Sequence, residues 1–450
     1  MTLPIQHDRL AQLLMKSDPT LGLDAARIQL ERAALTISCG NAAKTPWGQA
    51  ALLTIAECAT RSFRGGVYLQ GDLDAVVCVG NWMPVPLRRM LLTAGCRDEE
   101  PPEHAILVYV GADGKHVHAK LHCWTDGWVA TVGPVGPFQE VAPGNELSGA
   151  LAGAMAVTES FRMAVLGDLI AGKRTQRLSP LTPHNPDAAG ITLELLPSAM
   201  WVLGLGNLGQ ALLWVLGLLP YTDPGAVHIV LQDTDTSGAE NQDTQILTKP
   251  HWFERKKVRS SSEWAEARGF QTSITELPFC ATTVREDGQP GLAFVGVDNI
   301  GTRRFAARKE AGFDLVIDAG LGATSSEVFD IRVHGFPGFR NPIEAWPDIS
   351  MRTPGGDDTL SPDLLKLISQ GRLDRCGALT IAGQSVGIPS TAVAAATIQI
   401  AQACRAIAAR RFCDLVDVSL LNPSRAETHE IEFARARVLL FEEARRGVNR

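Results

Sequence analysis

The chain has 450 residues, 45% hydrophobic and 20% charged, a globular balance that leaves little room for extensive disorder. At roughly 150 residues per domain it is long enough for two or three domains. Its 42 basic and 49 acidic residues give a formal net charge of -7, which argues against a nucleic-acid binder working through a general basic field.

In chain order, the N-terminal MTLPIQHDRLAQLLMKSD spreads its charges and lacks an apolar run before a small-residue cleavage site, so no secretory signal is expected. ALTIS (34–38) and GVYLQ (66–70) read as short strands flanking WGQAALLTIAECATRSF, whose apolar residues recur at helical spacing. DAVVCVG and HAILVYVG predict further strands, and the alternating KHVHAKLHCW and GWVATVG an antiparallel meander. His116, His118 and His122 then share one strand face, read as solvated because no carboxylate or cysteine completes a metal set. Residues 147–166 predict a helix with a small-residue face. This half, residues 1–175, carries no glycine-rich phosphate loop.

The polar, proline-bearing stretch 172–190 marks a boundary. Beyond it, SAMWVLGLGNLGQALLWVLGLL is an apolar strand, a glycine turn and a helix. AVHIVLQD, FVGVD and FDLVIDAG follow as strands with helical segments between, which predicts a mostly parallel sheet. The chain is thus α/β, with a Rossmann-like unit over 190–450. Residues 340–376 form a long Pro, Gly and Asp-rich crossover containing one amphipathic piece, SPDLLKLISQG. A largely uncharged helix from about 390 to 409, an antiparallel pair (VDVSLL, THEIEF) and a surface helix (ARARVLLFEEARRG) close the chain. Stretches 201–222 and 377–404 match a membrane span in length, but their glycines, prolines, Asn and Gln fit buried elements of a soluble core better. Nine cysteines without a C-x-x-C pair favour a reducing cytoplasm over a disulfide framework or a zinc knuckle.

Gly204, Gly206 and Gly209 form G-x-G-x-x-G between a strand and a helix. One glycine makes the tight turn, one admits a phosphate to backbone N–H groups, and one lets the helix sit close on the sheet. Asp233 ends the next strand, where a carboxylate binds a ribose hydroxyl. Asp235, Asn241, Gln245, Lys257 and Asp298 follow. A lysine that neutralises polyphosphate and an aspartate that holds magnesium fit a triphosphate better than the pyrophosphate of a dinucleotide. An NAD-dependent oxidoreductase would need hydride-transfer residues that the chain does not show.

In order, GLGNLG, DTD (233–235), NQDTQ (241–245), Lys257 and VDN (297–299) resemble the activating-enzyme superfamily. Its members are the E1 enzymes of ubiquitin-like proteins and the bacterial adenylating enzymes of thiamine and molybdopterin synthesis. The likeness spans roughly 198–411. It implies that the glycines and Asp233 hold ATP, that Asn241 shapes the phosphate pocket, that Gln245 and Lys257 contact polyphosphate, and that Asp298 holds magnesium. Arg303 stands where the family has an arginine. Where the family carries a phosphate-binding arginine this chain has Thr244, so either a cation from elsewhere substitutes, with Arg162 of the first half as one choice, or adenylation is weakened. Lys256 competes with Lys257 for its role.

Cys376, after the crossover and before a small-residue segment, resembles the family's thioester cysteine, with Arg372 and Arg375 placed to favour its thiolate. Cys404 reads as core. The first half resembles a degenerate, inactive adenylation domain, an arrangement like the E1-like proteins of bacterial ubiquitin-like conjugation operons linked to antiviral defence. The resemblance implies Mg-ATP, a ubiquitin-like protein ending in glycine and an E2-like protein as partners, allows a homodimer, and calls for neither nucleic acid nor membrane. A sulfur-carrier adenylyltransferase is the nearest alternative, disfavoured by the missing cysteine pairs and the extra first half. A silent nucleotide-binding scaffold is kept open by Thr244.

Overall fold

The computed structural model describes residues 8–443 apart from 19, 113–117, 138–140, 189, 323, 348–361, 370–385 and 435–438. Helices α1 (Arg9–Ser17) and α2 (Leu23–Arg32) lead into β1 (Ala34–Cys39), every residue of which is buried, as in a strand covered on both faces. Thr45 caps α3 (Pro46–Ser62) by accepting from the Gly48 N–H, with Pro46 in the first turn. Then come β2 (Gly66–Gln70), α4 (Leu87–Ala94), β3 (Ile106–Val110), β4 (Leu121–Asp126), β5 (Val129–Gly133), α5 (Glu146–Ala164) and β6 (Gln176–Leu178). The sheet runs β2-β1-β3-β4-β5-β6, with its first four strands parallel and the last two antiparallel.

The second half repeats that plan at larger scale. After β7 (Leu195–Pro197) come β8 (Ala199–Leu203), α6 (Asn207–Leu218), β9 (His228–Gln232), α7 (Lys257–Glu266), β10 (Gln271–Thr275), β11 (Leu292–Val295), α8 (Ile300–Ala307), β12 (Leu315–Leu321) and β13 (Asp330–Phe336). Short α9 (Pro342–Ala345) and α10 (Pro362–Ser369) precede α11 (Pro389–Ala409), β14 (Arg411–Ser419), β15 (Glu427–Glu432) and β16 (Phe441–Glu443). The order is β10-β9-β8-β11-β12-β13-β14-β15, parallel through β12 and antiparallel beyond it. In both halves a long helix, α5 or α11, stands between an antiparallel strand and its neighbour.

Small residues let these helices close up. A Cβ on Gly149 of α5 would lie 2.1 Å from the Trp47 carbonyl oxygen, and one on Gly153 2.6 Å from that of Ala51. Helix α11 packs against α5 and α6. The hydroxyls of Thr158 and Ser390 meet at 3.0 Å, and Gln402 Nε2 donates to the carbonyls of Pro180 and Leu181 at 2.9 and 3.1 Å. One apolar cluster therefore runs from Leu10 to Leu439 through both halves. Trp201, Phe279 and Phe313 anchor a smaller one on the opposite face of the second sheet. Stretch 201–222 resolves into strand, turn and helix. Helix α11 is long and apolar enough to cross a membrane, and 83% of its apolar window is buried inside the molecule.

The expected antiparallel meander forms, β4 pairing with β5 and β5 with β6, while β4 runs parallel to β3. Three expectations change. DAVVCVG forms only an isolated bridge, Val76 to Pro86, while Val77 and Val79 plug into the core. His122 is buried against Tyr109, because neighbouring strands and α5 cover β4; His116 lies outside the described residues. Within the expected C-terminal helix, Phe441–Glu443 is instead a strand paired with Leu195–Pro197.

Candidate functional site

The ends of β8, β9 and β11 open onto a cleft of about 1990 Å³, counted to its open mouth. It lies beside the switch between strands β8 and β11, where the strand order reverses and parallel sheets bind ligands. Gly204, Gly206, Asp233, Asn241, Gln245, Lys257, Asp298 and Arg303 all line it, as does Thr244.

The three glycines serve separable purposes. Gly204 has φ +85°, a left-handed conformation that L side chains resist, and a Cβ there would lie 2.8 Å from Val297 Cγ1. A Cβ on Gly209 would come within 1.9 Å of the Gly204 carbonyl oxygen, so this glycine sets the closeness of α6 and does not face the cleft. A Cβ on Gly206 would meet nothing within 4 Å, so the space in front of the N-terminus of α6, whose first N–H groups suit a phosphate, is open.

Asp233 braces the turn: Oδ2 accepts from the Leu205 N–H at 2.6 Å and Oδ1 from the Asp235 N–H at 2.7 Å. Asn241 Oδ1 accepts from the Gly238 N–H at 2.9 Å. Gln245 is buried, and its Oε1 accepts from Gln210 Nε2 at 2.7 Å and Thr248 Oγ1 at 3.0 Å, so it supports the wall from behind. Arg61 of α3 donates to the Gln245 carbonyl at 3.0 Å and ties that wall to the first half.

The two adjacent lysines separate. Lys257 Nζ donates to Asp235 Oδ2 at 2.9 Å inside the cleft, and this bond, outweighing desolvation, holds the Asp235 carboxyl below its ordinary pKa. Lys256 Nζ instead donates to the Thr234 carbonyl at 2.6 Å. Of the three carboxylates lining the cleft, Asp298 alone has no hydrogen-bond or ion-pair partner among the described residues. It is exposed at the mouth, suited to a hard cation. Arg303 is fixed by the Val297 carbonyl at 2.8 Å and by Asp318 Oδ2 at 2.6 Å. Burial pushes Asp318 up to about 7 although Arg303 pulls it down.

Arg162 does not replace the missing arginine. It is buried in ion pairs with Glu159 and Asp168 in the first half and does not line the cleft. From the first half it is Arg9, the opening residue of α1, that lines the cleft together with Thr244. Burial lowers its pKa and the Glu240 carboxylate counteracts that. Nothing in the N-terminal sequence marks Arg9, because only tertiary packing brings α1 to this place. Asp318 was legible only as a strand residue, and Asn207 only as a variable position of the glycine motif.

Cys376 lies outside the described residues, as do Arg372 and Arg375. Among the described cysteines, Cys404 is fully buried, as expected of a core residue, with its thiol pushed up to about 12 by burial. Cys280 is exposed beside the cleft-lining Phe279, and hydrogen bonds from Thr282 and Thr283 bring its thiol down to about 7.

Fold and cleft together define an α/β protein with a Rossmann-like half whose nucleotide-type turn is completed by a cation from the other half. A family model for the BilD C-terminal domain matches residues 196–410 and one for the BilD N-terminal domain matches 34–180. The chain is 31% identical over 422 residues to the bacterial E1-like protein BilD of Collimonas sp. (strain OK412), covering 90% of each. It belongs to the BilD family of bacterial E1-like proteins. Crystal structures of E. coli MccB, with succinimide and with selenomethionine MccA, overlap it at TM-score 0.31 with 14% and 13% identity. They cover 54% and 53% of this chain and 66% and 65% of theirs, just under two thirds, a likeness too slight to carry an argument.

Proposed function

We propose that this chain activates a ubiquitin-like protein. The carboxylate of the partner's C-terminal glycine attacks the α-phosphorus of ATP, forming a P–O bond as the bond to pyrophosphate breaks, to give an acyl adenylate. The Cys376 thiolate then attacks the acyl carbon and releases AMP, and the resulting thioester passes by exchange to a cysteine of an E2-like protein.

The reading is carried by one observation: an open helix N-terminus at Gly206, Lys257 from the same half and Arg9 from the other converge on a single cleft. In it, the free N–H groups of α6 receive phosphate oxygens. Lys257 and Arg9 offset the charge that moves onto pyrophosphate. Asp233 holds the turn in shape. A magnesium ion on Asp298 would supply further neutralisation of the phosphates.

The first half, 1–175, is on this reading a degenerate adenylation domain beside an active one at 190–450. Its support is the shared strand plan together with the lack of a glycine-rich loop after β1. It retains the task of buttressing the cleft through Arg9 and Arg61.

ATP–pyrophosphate exchange that requires a ubiquitin-like protein with a free C-terminal glycine tests the first step. A thiol-labile adduct lost in Cys376→Ala and kept in Cys280→Ala tests the second. The reverse pattern would assign the nucleophile to Cys280, whose lowered thiol makes it the rival.

A further inference from the structure

Asn207 occupies the second variable position of GLGNLG and opens α6. Both Nδ2 and Oδ1 are buried, and neither has a hydrogen-bond partner among the described residues. A buried amide left unpaired is costly and calls for an explanation, of which a ligand is one. The residue lines the cleft at the head of α6.

Its position within the cleft is defined by what it touches. A Cβ on Gly387 would fall 2.4 Å from Asn207 Nδ2 and 3.6 Å from Leu321 Cδ1, so the absence of a side chain at 387 reserves room for the amide. Leu321 ends β12, and Gly387 lies just before α11. The cationic and phosphate-side groups sit elsewhere: Asp235, Asn241 and Lys257 follow β9, on the other side of β8. From β9 to β12 is three strand spacings, roughly 14 Å. Asn207 therefore stands at the head of the phosphate-binding helix with its amide turned toward the β12 side. From that side the chain re-enters after the segment that holds Cys376.

We infer that the Asn207 carboxamide binds the carboxylate of the incoming C-terminal glycine and sets its oxygen for attack on the α-phosphorus. This rests on the adenylation reading and adds to it a substrate-binding residue. A neutral amide suits the task. Nδ2–H donates to one carboxylate oxygen without the full charge that would blunt the other as a nucleophile, whereas the phosphate end of the cleft is served by Lys257 and Arg9. The second polar atom, Oδ1, is free to accept the N–H of the terminal peptide group. The pair would thus read a backbone end and not a side chain.

The experiment compares wild type, Asn207→Ala, Asn207→Ser and Asn207→Asp in ATP–pyrophosphate exchange. The probe is a glycine-terminated ubiquitin-like protein, with its C-terminally amidated form as control, and Mg-ATP affinity is measured separately by equilibrium dialysis. Asn207→Ala is expected to raise KM for the carrier by about 10-fold or more, the loss of one hydrogen bond to a charged group, with ATP affinity within about 2-fold. Asn207→Ser, which keeps a donor, should recover part of the loss, and Asn207→Asp should be worse than alanine because it sets like charges together. Thermal unfolding of Asn207→Ala should stay at or above the wild-type midpoint, since no internal hydrogen bond is removed. A lowered midpoint with unchanged carrier KM would make the residue structural and overturn the inference. A loss of ATP affinity with unchanged carrier KM would assign the amide to phosphate and overturn it equally. Unchanged kinetics in all three variants, while wild type exchanges normally, would defeat this inference alone. No carrier-dependent exchange in wild type would defeat the adenylation reading and this inference with it.

Discussion

Arg64 Nη2 lies 2.6 Å from Asp8 Oδ1 and 3.0 Å from Asp243 Oδ2, so one guanidinium in the turn after α3 joins the cap of α1 to the segment that carries Asn241 and Gln245. Asp8 also accepts from the Ala11 N–H at 3.2 Å and from Arg27 Nε at 2.9 Å. Arg9, the next residue, thereby inherits its position from Arg64. Burial pushes the Asp8 carboxyl up, but Arg64, Arg27 and Ala11 together hold it below its ordinary range; Asp243 is raised by its own burial.

Arg64→Ala leaves a buried carboxylate, Asp8, and a half-buried one, Asp243, near each other without their shared cation. The expected loss is on the order of 2–3 kcal/mol, less than for a fully enclosed pair because Arg64 is 24% exposed. Since the folded pKa of Asp8 is depressed, its stabilisation is present above the unfolded carboxylate value, near pH 4, and is lost as pH falls through the folded value. Urea midpoints at pH 3 to 7 should show the wild-type advantage over Arg64→Ala shrinking toward the acid end. Arg64→Ala should also depress exchange at saturating ATP as Arg9→Ala does, and the double variant should lose little more than either alone.

Two glycine substitutions should part company. Gly206→Ala meets open space and should fold with its unfolding midpoint intact, yet lose ATP affinity by at least about tenfold, because the methyl occupies the route of a phosphate to the α6 N–H groups. Gly209→Ala drives a methyl into the Gly204 carbonyl and should destabilise by roughly 1–3 kcal/mol or more. Calorimetry of ATP binding beside thermal melts separates the two outcomes.

Asp318 gives a pH signature. Its folded pKa of about 7 stands above the unfolded carboxylate value, so the folded state holds an extra proton between about pH 4 and 7. Its contribution to stability is full below pH 4 and declines as pH rises to 7. Asp318→Asn should flatten that stretch of the stability curve. It should also remove any inflection near pH 7 from the exchange rate, because Arg303 then no longer alternates between a neutral and a charged partner.

Asp298→Ala should leave the melting temperature within about 1 °C of wild type, as expected for an exposed side chain without partners among the described residues, and abolish most magnesium-dependent exchange. Titration of exchange against magnesium should shift to higher concentration in the variant. An unchanged titration would remove the metal role from this residue.

Much of the second half could be read directly. The strand, glycine turn and helix of 199–218 announce themselves because backbone physics demands glycine there, and Lys257 and Asp298 fall at strand and helix boundaries that periodicity locates. Arg9 was out of reach: its helix is far from the cleft in sequence, and its arrival depends on Asp8, Arg27 and Arg64 meeting in space. DAVVCVG misled for a similar reason. Its apolar alternation feeds Val77 and Val79 to the core but has no neighbour strand to pair with, and pattern alone cannot tell burial from pairing. His122 was misplaced because alternation shows which residues share a face and not whether that face is covered.

The unbroken apolar interior from Leu10 to Leu439 has a consequence for ancestry. A cut between residues 181 and 194 would leave each fragment with a wide greasy wall, and the pieces would have to reunite at once or precipitate. Fission of such a gene succeeds only if both products are made together, so the two halves are bound to travel as one inheritance.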